Sequence, residues 1–330
     1  MDFVTEMKAK AVSASKKLVL PEGTDKRIIR AARVLMDEKI AASVTLLGSI
    51  ADIQEAASSE GIDLYGINIV FPEADPNICK YAQTFYELRK NKGMTPEQAR
   101  IDIIDTLRWG AMMVHLGDAD AIVAGAESPT SDVLRAGLAI IGTVPGLKTA
   151  SSCFVMTELD SKFGHEGAMI FSDCAVIPDP SPEQLADIAE SAALSAREYL
   201  GIEPGVAFLS FSTKGSAKHD DVDKVLSAME ILKSRNVNFL YDGELQADTA
   251  LIPSVLDKKA PGSPVRGKVN TLIFPDLNSG NIGYKLVQRM AKANAFGPFL
   301  QGFARPISDL SRGASVDEIV ITCAVTLARS

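Results

Sequence analysis

KLVLPEGTDKRIIRAARVLMDEK, residues 17–39, decides the fold. Lys17–Leu20 is a short apolar run stopped by Pro-Glu-Gly-Thr. From 25 to 39 the apolar residues Ile28, Ile29, Ala32 and Leu35 recur at helical spacing. A buried strand that turns tightly into an amphipathic helix is one βα unit. The pattern then repeats, with strands predicted at 44–47, 68–71 and 120–125 and helices at 52–60, 76–90, 96–116 and 131–141. After a break at 143–147, two successive strands at 151–158 and 168–177 suggest a hairpin. Alternation resumes with helices at 182–200, 220–235 and 279–293 and strands at 206–211, 239–241, 269–274 and 299–303. Such alternation predicts an α/β protein with mostly parallel sheets covered by helices on both faces.

A length of 330 residues exceeds what one core usually serves, which favours two domains. The final helix, about 316–328, is apolar on all sides and should be buried. Packed back on the start of the chain, it makes the first domain discontinuous, 1–145 plus 303–330, with 146–302 inserted.

The chain is 46% hydrophobic and 23% charged, ordinary for a globular protein, and its net charge is −8. That balance argues against nucleic acid or an anionic membrane as partner. The N-terminal MDFVTEMKAKAV lacks the apolar core of a signal peptide, and the run at 319–328 is too short to span a bilayer. Cys79, Cys153, Cys174 and Cys323 form no CxxC pair and lie in or near apolar runs. They read as buried free thiols of a cytoplasmic protein. The three histidines, His115, His165 and His219, complete neither HExxH nor any other zinc pattern, and no serine sits in GxSxG. Any catalysis therefore avoids metal and histidine.

Three stretches carry chemistry. Gly125-Ala-Glu-Ser-Pro-Thr-Ser131 links a strand to a helix with small and hydroxylated residues, Ser128 and Thr130 among them. Either its amides meet a phosphate, with Arg135 one turn on, or Thr130 or Ser131 caps the helix. Pro275-Asp-Leu-Asn-Ser-Gly-Asn-Ile-Gly-Tyr-Lys285 is a second such link, with Asn281, Tyr284 and Lys285; Lys285, Arg289 and Lys292 read as one cationic face. In Asp309-Leu-Ser-Arg-Gly-Ala-Ser-Val-Asp-Glu-Ile319, Ser315 and Glu318 form a capping box. The box leaves Ser311-Arg312-Gly313 unexplained, because an arginine is ill placed before a helix N-terminus unless an oxyanion holds it there.

Together these stretches resemble the phosphate acetyltransferase (phosphotransacetylase) family. Further blocks in register are LPEGTDKRIIRAA (20–32), YELRKNKGMTPEQA (86–99), VLRAGL (133–138) and SFSTKGSA (210–217). The resemblance runs the whole chain. It implies acetyl-CoA + phosphate ⇌ acetyl phosphate + CoA, two α/β/α domains of isocitrate/isopropylmalate dehydrogenase-like architecture with the site in the cleft between them, and a homodimer joined through the inserted domain. Coenzyme A, acetyl phosphate and phosphate are then substrates, with no tightly bound cofactor. Ser311 and Arg312 match the family's catalytic serine and arginine. Counting back from Ile319, the family's basic aspartate is replaced by Glu318, one methylene longer. Arg89, Arg135 and Arg289 match arginines placed around the substrates.

The chemistry demands tuning. A free thiol and a free glutamate differ by roughly 4 pKa units, so proton transfer to Glu318 is uphill by about 5–6 kcal/mol unless burial or arginines close the gap. A capping glutamate is a weakened base, so Glu318 is expected to leave the box and let Ser315 cap alone. Competing readings are a phosphate butyryltransferase, a non-catalytic acetyl-CoA-sensing module, and a nicotinamide-linked decarboxylating dehydrogenase of the same architecture. The last lacks the aspartate cluster its metal would need.

Overall fold

The computed structural model describes residues 2–329. Its strands are β1 (Lys17–Leu20), β2 (Ser43–Leu47), β3 (Asn68–Val70), β4 (Ala121–Ala124), β5 (Ser151–Thr157), β6 (Met169–Ser172), β7 (Gly205–Leu209), β8 (Leu240–Leu245), β9 (Thr271–Ile273), β10 (Asn294–Gln301) and β11 (Ile307–Asp309). The chain forms two compact units: one comprises residues up to Pro145 and those from Phe303 on, the other Gly146–Gly302.

The first unit is built on a five-stranded sheet of order β11-β4-β1-β2-β3, parallel throughout. β1 and β4 are apolar runs with almost every residue buried, as expected of a sheet covered on both faces. Helix Lys26–Asp37 starts at Asp25, whose side chain accepts from the Arg27 and Ile28 amides. It buries Ile28, Ile29, Ala32 and Leu35. The last helix, Val316–Ala328, packs against Phe3–Ala14 and Lys26–Asp37. Ile319, Val320, Cys323, Ala324 and Leu327 join the same apolar cluster as Leu18, Leu20 and Leu46.

The second unit carries a six-stranded sheet of order β10-β5-β6-β9-β7-β8. β5 and β6 form the antiparallel pair, β10 adds antiparallel to β5, and the remaining pairs are parallel. Its core joins Phe154, Met156, Phe171, Ala207 and Leu272.

The structure corrects several elements. The stretch 96–116 is two helices, Pro96–Asp102 and Thr106–Leu116, because Asp105 accepts the Arg108 amide and restarts the chain as an N-cap. The helix after β4 is regular only over Thr130–Ala136 and continues as a π turn over Gly137–Ile141. Helix Leu277–Met290 ends before Lys292, which has φ +58°, so Lys292 does not extend the face of Lys285 and Arg289. Three-residue β11 escaped the reading altogether, being too short for a period. Of the four cysteines, Cys79 is exposed on a helix surface; the other three are buried, and none is in a disulfide.

Candidate active site

In an open parallel sheet a crevice forms at the strand carboxyl ends where the strand order reverses. Here the chain runs from β1 outward to β3, then returns to place β4 and β11 on the other side of β1. The turns after β1, β4 and β11 are Pro21–Thr24, Gly125–Ser131 and Leu310–Ser315. The last two belong to stretches that the sequence singled out for chemistry, and the topology brings all three turns to one edge.

What joins them is a pair of residues given no role by the sequence reading. Glu22 is 6% exposed. Its Oε2 accepts the Gly125 and Ala126 amides at 3.0 and 2.7 Å, and its Oε1 accepts those of Glu127 and Ser128 at 3.0 and 2.7 Å. The amides expected to meet a phosphate are therefore filled by a carboxylate of the chain itself. Arg27 is the second. It pairs with Asp25 at 2.6 Å, and it donates to the carbonyls of Ala126 (2.9 Å), Arg312 (2.8 Å) and Ala314 (3.0 Å). One guanidinium thus ties the turn after β4 to the turn after β11, using the fan of donors that lysine lacks. Burial pushes the Asp25 carboxyl up, but the Arg27 hydrogen bonds prevail and hold it below its ordinary value. The LPEGT and KR of residues 20–27 could have flagged both positions, since an acid and an arginine after a buried strand need partners.

Ser311 and Arg312 are exposed at the tip of the last turn. Ser311 Oγ accepts the Gly313 amide at 3.3 Å and Ser311 O accepts that of Ala314 at 2.9 Å, so the turn is a compact loop offering the hydroxyl and guanidinium outward. Glu318 departs from expectation. The capping box is closed in both directions: Glu318 Oε2 accepts the Ser315 amide at 2.8 Å, and Ser315 Oγ accepts the Glu318 amide at 3.2 Å. The glutamate stays in the box because its extra methylene reaches the N-cap amide, which an aspartate at N3 reaches less easily.

Thr130 also corrects the reading. The helix that starts at it has Pro129 as N-cap and no side-chain capping bond. Instead Thr130 Oγ1 donates to Asp309 Oδ2 at 2.5 Å, from β4's turn to the end of β11. Asp309 is 4% exposed, and its Oδ1 is buried without a hydrogen-bond partner. Burial pushes its carboxyl up to about 6; the Thr130 bond opposes the rise and the Glu22 charge adds to it.

Ser128 is half-buried beside Glu22, Arg89 is half-buried at a helix end, and Arg135 is exposed and paired with Asp132 at 2.7 Å. All belong to the first unit. The other four predicted contacts belong to the second unit, and two of them also make contacts within it. Asn281 Nδ2 donates to Cys174 O at 3.1 Å. The Tyr284 ring stacks on Phe154 at 4.0 Å, where burial raises its phenol. Lys285 and Arg289 are exposed on the same helix. A cavity of about 730 Å³ in this unit, flanked by His165, Glu203, Phe239 and Lys268 at the amino ends of β7 and β8, includes none of the predicted residues.

Comparison with known proteins places the whole chain in one family. The family model described as phosphate acetyl/butaryl transferase matches residues 2–327. The phosphate acetyltransferase of Treponema pallidum is 55% identical over 333 residues, covering 100% of this chain and 99% of the relative. That of Thermoanaerobacterium thermosaccharolyticum is 50% identical, covering 99% and 98%. A crystal structure of a phosphotransacetylase from Streptococcus pyogenes superposes with TM-score 0.92 at 39% identity, covering 99% of this chain and 97% of that one. A putative 4-hydroxythreonine-4-phosphate dehydrogenase from Salmonella typhimurium, 11% identical, shares the fold at TM-score 0.58. With whole-length matches in sequence and structure, and with Ser311 and Arg312 presented at the carboxyl edge of its first sheet, the chain belongs to the phosphate acetyl/butaryl transferase family.

Proposed function

We propose that Ser311 and Arg312 are the catalytic pair of the reaction this chain performs, the reversible transfer of an acetyl group between coenzyme A and phosphate. The observation that carries the assignment is the loop itself. It is exposed at its tip, braced from behind by Arg27, and set at the strand ends where open parallel sheets take ligands. Arg312 meets the negative charge that develops on the acetyl carbonyl or phosphate oxygens, and Ser311 hydrogen-bonds to the reacting groups. Arg89, Arg135, Ser128 and Thr130 are proposed as further contacts to the anionic substrates. Lys285 and Arg289 are proposed as contacts to the phosphates of coenzyme A.

Glu318 remains the proposed base for the thiol. With Oε2 held by the Ser315 amide, it acts through its other oxygen. The test is release of free coenzyme A from acetyl-CoA on addition of phosphate, with Arg312→Ala and Glu318→Gln beside the wild type. Arg312→Ala should fall by about 10²–10³-fold in kcat, the usual loss for a transition-state donor. Glu318→Gln keeps a good N3 residue, so its melting temperature should hold while kcat falls by about 10²-fold. Full turnover in Glu318→Gln would make the residue a cap alone. Acetyl-CoA binding without phosphate-dependent release from the wild type would favour a sensing module. Faster turnover of butyryl-CoA would favour the longer acyl chain.

The protein is further proposed to be cytoplasmic, where its free thiols stay reduced, and to form a homodimer. The dimer reading rests on Ile282, Leu286 and Met290, which recur at every fourth residue of helix Leu277–Met290 and are 56%, 53% and 80% exposed. An apolar stripe of that size on one helix is suited to burial against a partner.

A further inference from the structure

Asp309 stands apart from the residues assigned so far. It ends β11 two residues before Ser311, is almost wholly buried, and faces the turn after β4. Its place there is built. Gly125 has φ +111°, and a Cβ on it would collide with the Asp309 carboxylate and with the Leu310 backbone. The chain thus gives up a side chain to bring a carboxylate against this turn. A carboxylate buried among apolar strands is costly unless fully hydrogen-bonded, yet Oδ1 has no partner. Oδ2 accepts from the Thr130 hydroxyl, and the neighbouring Leu310 amide also favours the ionised carboxylate.

That bond has a direction. An ionised carboxylate only accepts, so the Thr130 proton points inward to Asp309 and the lone pairs of Oγ1 point away from it. Thr130 is exposed. Its oxygen is therefore poised to accept a proton from a group outside, with Asp309 behind it to take the threonine's own. Of the two substrates that lose a proton, the thiol is assigned to Glu318; the other is phosphate.

We propose that Asp309 is a positioning residue which, acting through the Thr130 hydroxyl, takes up the proton of attacking phosphate and gives it back when phosphate leaves. The inference rests on the assignment of the reaction to the Ser311–Arg312 edge. In the direction of acetyl phosphate synthesis, a P–O–H proton passes to Thr130 Oγ1 as the threonine proton passes to Asp309 Oδ2. The freed phosphate oxygen bonds to the acetyl carbon, and the carbon–sulfur bond breaks with its electron pair going to sulfur. Sulfur takes a proton from Glu318, which Glu318 regains from water, and Asp309 releases its proton to water, so the net change is one proton lost by phosphate and one gained by the thiol per turnover. The reverse reaction runs the same steps backward. A carboxylate raised to about 6 suits a phosphate proton of similar affinity better than an ordinary aspartate does. Burial is the main cause of the rise; the Glu22 charge supports it, and the Thr130 hydroxyl and the Leu310 amide oppose it.

The experiment compares wild type with Asp309→Asn, Thr130→Val and Thr130→Ser in phosphate-dependent coenzyme A release across about pH 5 to 9, with coenzyme A affinity measured separately by calorimetry. Wild type should lose activity on the acid side with a midpoint near 6. Asp309→Asn and Thr130→Val should lose about 10²–10⁴-fold in kcat and flatten that acid limb, with coenzyme A affinity unchanged. Thr130→Ser keeps the hydroxyl and should stay within about tenfold of wild type. An Asp309→Asn enzyme with the wild-type pH profile overturns the inference and leaves the reaction assignment intact; so does Thr130→Ser as inactive as Thr130→Val. A folded wild type without phosphate-dependent release overturns both. Should Asp309→Asn not fold, the two Thr130 variants, at an exposed position, carry the same test.

Discussion

Two carboxylates nine residues apart show how environment divides one chemistry into two roles. Glu318 lies at the surface and spends one oxygen on a helix start. Asp309 is buried with one oxygen unsatisfied, and its proton affinity rises with burial. The rise has a consequence for stability. In the unfolded chain Asp309 releases its proton near 3.8, whereas folded it holds it to about 6. Between those values the native state binds the extra proton, so stability falls as pH rises through the window and stays lower above it. A shift of about 2 units corresponds to about 3 kcal/mol. Asp309→Asn, which never ionises, should therefore equal or exceed the wild type in urea unfolding near pH 7.5 by up to about 3 kcal/mol, and the two should converge below about pH 4. Parallel curves across that range would show that Asp309 titrates as an ordinary carboxyl in the folded protein.

At the scale of elements, each unit fixes a critical turn with a carboxylate of its own. Glu22 gathers four consecutive amides after β4. In the second unit Asp173 accepts the Ala175, Val176 and Ile177 amides together with the Ser152 amide and hydroxyl. Backbone N–H groups that curl around one point create a concavity suited to an anion, and an internal carboxylate satisfies it permanently. The turn after β4 is rigid as a result, and it presents Thr130 from a fixed backbone. Glu22→Gln puts an NH₂ against two of those amides. It should cost on the order of 2–4 kcal/mol, read as a lower urea midpoint, with a loss of turnover that follows the loosened turn. An unchanged midpoint would mean that the four bonds are replaced without strain.

For the whole molecule, the stripe Ile282, Leu286 and Met290 is an apolar face on one helix that the chain by itself leaves exposed. Leu286→Asp should convert a dimer to a monomer in light scattering at micromolar concentration, because a charge on a desolvated apolar face costs more than a single contact returns. A wild type that is already monomeric would remove that reading of the stripe.

The sequence determined the alternation of strand and helix, because period and turn chemistry are local. The run of Lys17–Leu20, the spacing of Ile28 to Leu35 and the capping pair Ser315 and Glu318 could each be read without a partner. It also supplied Ser311 and Arg312, whose place before a helix N-terminus is unexplained by local structure. What only the tertiary structure decided were interactions between residues about a hundred or more positions apart. Glu22 looked like a turn residue until the amides of 125–128 came to it. Thr130 looked like a cap until β11 set Asp309 beside it. The stacking of Tyr284 on Phe154 and the bond from Asn281 to the Cys174 carbonyl likewise appeared only with the tertiary structure. A hydrogen bond across a sheet leaves no period in the chain, and burial, which shifts the proton affinity of Asp309, exists only once the strands have assembled.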